Sequence, residues 1–180
     1  ASTDTTTPVA SRQIYAALSG TVTIPGLGQL SMRLALWQYG PLSFYIELPT
    51  QIILDPETGL AITNLRGGFD LGATLATPNT PQDMRSGQYQ PPLSQTAATW
   101  NAALLQQMST LLKAGNTSIG NMFAPPIEIH AGATLFDAYL STNAFRADID
   151  LTIGLVTNTD GSVGVKILIN GNFTFGNSLT

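Results

Sequence analysis

Apolar side chains that recur at every second residue dominate this chain, and they restrict it to sheets. Leu18, Gly20, Val22 and Ile24 share one side of a run whose other side is Ala17, Ser19, Thr21 and Thr23. Leu30, Met32, Leu34 and Leu36 alternate with Ser31, Arg33, Ala35 and Trp37. Leu42, Phe44, Ile46 and Leu48 alternate with Ser43, Tyr45 and Glu47. Period two puts successive side chains on opposite faces of an extended strand. Pro25-Gly26-Leu27-Gly28 and Gly40-Pro41 separate the three runs, so they predict an antiparallel meander.

Short strands are expected at 51–54 and 60–65, around the turn Asp55-Pro56-Glu57-Thr58-Gly59. Gly67-Gly68 reads as a bulge or sharp bend before a strand over 69–75. Residues 76–92 contain Pro78, Pro81, Pro91 and Pro92 and predict a loop of more than ordinary length. Beyond Pro125-Pro126 the alternation resumes. Ile127, Ile129 and Ala131 oppose Glu128 and His130, and Phe145, Ala147, Ile149, Leu151 and Ile153 oppose Arg146, Asp148, Asp150 and Thr152. Asn158-Thr159-Asp160-Gly161 signals a hairpin into a last strand that carries Val165, Ile167, Ile169, Phe173 and Phe175.

One segment has the helical period. Trp100, Leu104, Met108, Leu111 and Leu112 form a stripe within 94–114, Ser94 or Thr96 can cap its start, and Gly115 suits its end. The predicted fold is mainly β. Antiparallel sheets of about eight or nine strands, arranged as a sandwich or a curved sheet, carry one amphipathic helix on a sheet face. Residues 1–11 are Thr-rich and read as a tail or linker, leaving 12–180 as a single domain.

Composition narrows the function. Only 10% of residues are charged, against roughly 25% in an ordinary soluble domain. Such a surface is polar but nearly neutral, and suits a protein packed against other subunits or neighbouring domains of a longer chain. The seven Lys and Arg residues are scattered and the net charge is -4, which disfavours nucleic acid. There is no cysteine, hence no disulfide or thiolate chemistry. No apolar run is long enough for a transmembrane helix.

Reactive side chains are scarce. His130, the single histidine, shares a strand side with Glu128. That pair could bind a metal or move a proton, but a firm metal site takes about three protein ligands. The expectation is an exposed strand histidine, with no catalytic set, no metal and no cofactor. Asp148 and Asp150 also share a face beside Arg146. Paired carboxylates can serve glycoside hydrolysis or hold Ca²⁺, and acids on a wet sheet face need no such role. Trp37, Tyr39 and Tyr45 lie opposite the Leu/Phe stripe. They form either an exposed aromatic patch that stacks on sugars or a second core covered by the Trp100 helix. Trp37, Tyr39, Tyr45, Asp148 and Asp150 are therefore the candidate ligand-binding residues.

The stretch from Gly59 to Phe69, continuing to Asp83-Met84-Arg85, resembles segments in β-rich modules of very large secreted bacterial surface proteins of unknown role; the Trp-bearing helix and the closing Phe173-Thr174-Phe175-Gly176 fit the same pattern. The similarity spans 59–176 and implies an extracellular module, without assigning any functional residue. Three functions remain as expectations: a non-catalytic structural or adhesive module of an extracellular assembly, an amphipathic β groove for lipid or another apolar ligand, and a carbohydrate-binding or carbohydrate-active domain.

Overall fold

The computed structural model describes residues 13–73, 95–140 and 144–176. The tail expected at 1–11 and the loop expected at 76–92 lie outside these residues. Eight strands form one antiparallel sheet: β1 (Tyr15–Ile24), β2 (Gly28–Trp37), β3 (Gly40–Leu48), β4 (Ile52–Asp55), β5 (Leu60–Leu71), β6 (Ile127–Asp137), β7 (Phe145–Thr157) and β8 (Val163–Phe175). Their order is β1-β2-β3-β5-β6-β7-β8, with β4 paired to β5. Among the described residues the chain adopts a mainly β fold with one covering helix, as the alternation predicts.

Short turns join β1 to β2, β2 to β3, β4 to β5 and β7 to β8, and the connection from β5 to β6 holds the helix α1 (Ala97–Ala114). Thr96 caps α1 by accepting a hydrogen bond from the Thr99 amide, and Gly115 closes it in the left-handed conformation, φ 73°. Asp55 and Asp160 fold back onto their own turns. Asp55 accepts from the Glu57 amide, and Asp160 from the Ser162 amide and hydroxyl.

One expectation about β5 needs correcting. Gly67 and Gly68 do not bend the chain, because β5 runs through them to Leu71. The irregularity lies earlier, between Thr63 and Arg66, where Asn64 takes φ 49°. Gly68 serves a close approach instead. A Cβ there would overlap the Phe44 carbonyl and the Tyr45 ring.

Trp100, Leu104, Met108 and Leu111 of α1 pack with Ala35, Trp37, Leu42, Leu71, Met122 and Ile127 into the core. The helix therefore lies over the end of the sheet where β2, β3, β5 and β6 contribute these residues. Arg33 reaches it too, with its guanidinium 5.2 Å from the Trp100 ring centroid and a 2.8 Å hydrogen bond to the Gln95 carbonyl.

Residues in register across a sheet share a face, and the rows sort sharply. One row reads Leu18, Leu34, Phe44, Phe69, Ile129, Ile153, Ile167, and the next Gly20, Met32, Ile46, Gly67, Ala131, Leu151, Ile169. No position in either row is polar. On the other face run Ser19, Arg33, Tyr45, Gly68, His130, Thr152, Leu168 and Thr21, Ser31, Glu47, Arg66, Gly132, Asp150, Asn170. The polar face is the enclosed one around its middle: Ser43, Tyr45, Thr134 and Thr152 are buried. Among the described residues the apolar face is the more open one, with Leu18, Ile129, Ile167 and Ile169 exposed and its middle half-buried.

Candidate functional site

Among the described residues, the middle of the polar face holds a cluster of enclosed ionisable side chains. Asp70 near the end of β5 pairs in register with Glu128 on β6, and Glu128 and His130 are two residues apart on the same side. The three side chains thus converge because β5 and β6 are neighbours, although they lie far apart in sequence. One ligand atom from each lies within 4.8 Å of the others.

Their geometry is directional. His130 Nε2 is 3.2 Å from Asp70 Oδ2 and 3.5 Å from Glu128 Oε2. The three side chains are only 10%, 14% and 12% exposed for His130, Asp70 and Glu128. Despite the short distances, Nε2 is cut off from solvent and neither oxygen is placed to accept a well-formed hydrogen bond from it. The other ring nitrogen, Nδ1, lies 3.1 Å from the Thr152 hydroxyl. Asp70 uses its second oxygen, Oδ1, to accept from the Ser43 hydroxyl and from Gln107 Nε2 of α1 at 2.9 Å. Tyr45 closes one side, its ring centroid 5.4 Å from that of His130. Burial by itself would push the imidazole toward its neutral form, but the carboxylates of Asp70 and Glu128 outweigh it and raise the His130 pKa to about 9. The expectation of an exposed strand histidine is therefore replaced by an enclosed one.

A second polar centre lies one row away. Arg66 grips Asp150 with two hydrogen bonds, Nε to Oδ1 at 2.6 Å and an Nη to Oδ2 at 3.0 Å. Its remaining donors reach the carbonyls of Asn64 and Ile149 at 3.3 Å. The bridge passes over Gly132, where a Cβ would collide with both partners. Burial works against the Arg66 charge, yet Asp150 more than compensates and raises its pKa. Asp148 is more open. Burial raises its pKa, but Arg146 at 3.0 Å and the Thr134 hydroxyl prevail and lower it.

The sequence-derived candidates fall on this framework as follows. Trp37 and Tyr45 are buried, 5% and 4% exposed. Trp37 packs edge-on against Tyr39, ring centroids 4.8 Å apart, and donates to Gln13 at 2.9 Å. Tyr39 packs against the core from its edge. Asp150 is engaged by Arg66, not by the nearby Arg146, and Asp148 takes Arg146. Asp148 and Asp150 are thus held separately, each by its own arginine. Asp70 was missed by the sequence reading, since only the pairing of β5 with β6 brings it to Glu128 and His130. No family model matches the chain, and neither a curated protein nor a solved structure does.

Proposed function

We propose that this chain is a non-catalytic structural module that acts by assembly, at the outside of a cell, and that the apolar face of its sheet is the surface it buries against a second copy. The observation that carries this reading is the open apolar face itself. Val163, Val165, Ile167, Ile169, Phe173 and Phe175 of β8 are 58–72% exposed, and Leu18 and Val22 of β1 are exposed at the other side of the sheet. Contiguous exposed apolar surface on this scale marks a contact site in a soluble protein. The edge strands support the same reading. β1 and β8 end the strand order, so each keeps one hydrogen-bonding edge unpaired among the described residues. Long, unblunted edges invite pairing with another chain. The scarcity of charge, 10% of residues, leaves little repulsion between copies.

Sedimentation velocity across a concentration series tests the proposal. The wild type self-associates, and the double variant Ile167→Lys/Ile169→Lys sediments as a monomer with an unchanged circular-dichroism spectrum. A wild type that stays monomeric throughout contradicts it.

A lipid contact is the second reading. β1–β3 and β5–β8 are 9–13 residues long, comparable with the roughly 9–11 residues of a bilayer-spanning strand. The faces also alternate as in a membrane barrel, apolar outward and polar inward. Among the described residues, no helix is long and apolar enough to cross a membrane. Flotation of the wild type with neutral phosphatidylcholine vesicles would favour lipid over self-association. A glycan site built on Trp37 and Tyr45 would need rings open for stacking, whereas both are buried.

A further inference from the structure

We propose that Asp70, Glu128 and His130 bind one divalent metal ion of the zinc class, through Nε2 of the imidazole and one oxygen of each carboxylate. Zinc takes nitrogen and carboxylate oxygen donors at about 2.0–2.2 Å, which places tetrahedral donors about 3.3 Å apart. The observed separations from His130 Nε2, 3.2 Å to Asp70 and 3.5 Å to Glu128, match that spacing. All three donor atoms fall within 4.8 Å of one another, and Nε2 is sealed from solvent with no well-formed hydrogen-bond partner.

The surrounding groups orient the donors. The Thr152 hydroxyl lies 3.1 Å from Nδ1, and by accepting the Nδ1 proton it would leave Nε2 as the metal donor once the ion displaces the Nε2 proton. Ser43 and Gln107 occupy Asp70 Oδ1 and leave Oδ2 directed at the histidine. Such outer hydrogen bonds orient metal ligands and strengthen them. Charge points the same way. Two enclosed carboxylates with a neutral imidazole carry two negative charges, which a divalent cation neutralises and a single proton does not. The ion would tie β5 to β6 and, through Ser43 and Gln107, to β3 and α1. Its role is accordingly structural: a cross-link between the two halves of the sheet on either side of the long connection.

The chain offers one imidazole and no thiol, so zinc titration of the chelator-stripped protein can be followed at a single histidine by NMR. The expected result is stoichiometric binding by calorimetry, with the His130 ring shifting to the Nδ1-protonated, Nε2-metallated pattern. Asp70→Asn and Glu128→Gln each weaken binding by about tenfold or more, and His130→Gln abolishes the stoichiometric step. An imidazole spectrum that does not respond to excess zinc overturns the proposal, as does undiminished binding by a folded His130→Gln. If that variant fails to fold, the wild-type imidazole spectrum decides alone. Zinc held only by surface carboxylates gives heat without an imidazole shift and also counts against the site.

Discussion

Arg66 and Asp150 show what enclosed charge costs when its partner is removed. Their side chains are only 15% and 13% exposed, and the guanidinium is satisfied by carboxylate and backbone together. Removing one member of such a pair strands the other, which typically costs about 3–5 kcal/mol. Arg66→Ala should therefore lower the urea-unfolding free energy by about 3 kcal/mol, and Asp150→Asn added to it should restore part of that loss. Additive losses in the double variant would show that the two residues do not act as a pair. His130 makes a different prediction. Its folded pKa of about 9 lies above its ordinary value of 6.5, so the metal-free folded chain holds the proton more tightly than the unfolded chain. The resulting stability, roughly 3 kcal/mol, is fully present below pH about 6.5 and drains away as pH rises through about 9. Unfolding in the presence of a chelator should show this decline in the wild type and not in His130→Gln.

Among the elements, α1 is the one most fully written in its sequence. Its stripe, its Thr96 cap and its Gly115 terminus are all local features, and the helix begins three residues inside the expected 94–114. Leu104 is fully buried in the core, so Leu104→Ala should cost about 2–5 kcal/mol. Thr96→Ala should cost about 1 kcal/mol, and thermal or urea denaturation separates the two. A Leu104→Ala loss no larger than the cap's would mean that the helix does not pack as described. The hairpins β1–β2, β2–β3 and β7–β8 were legible for the same reason, since Gly, Pro, Asn and Asp mark their turns. β5 was less so: Gly67-Gly68 looked like a break, yet the strand runs through both, and Gly68 gives room to the Tyr45 ring. The Glu128–His130 pair could be read from spacing alone. Asp70 could not, because it meets them only through β5–β6 pairing across a connection that spans residues 72–126, and no local pattern encodes that partnership.

At the scale of the whole molecule, alternation predicted two chemically distinct faces but not which would be covered. Hydrophobicity suggests that the Leu/Ile/Phe side forms the core and that Asp148 and Asp150 sit on a wet side. The helix instead joins the polar face, where Asp70 accepts from both Ser43 and Gln107, and Leu18, Ile129, Ile167 and Ile169 of the apolar rows stay exposed. Apolar sheet residues exposed in this way are unfavourable in water, and the proposed assembly would bury them. Because the chain has no cysteine, single substitutions report each face separately. Ile169 is 65% exposed on the apolar face, and its neighbour Leu168 is 8% exposed on the polar one. The most direct test is the rate of maleimide labelling of Ile169→Cys and Leu168→Cys as protein concentration rises. The account predicts fast labelling at position 169 in dilute solution that becomes protected on concentration, with position 168 slow throughout. Slow labelling at 169 in dilute monomer, or labelling there that concentration does not change, would contradict it.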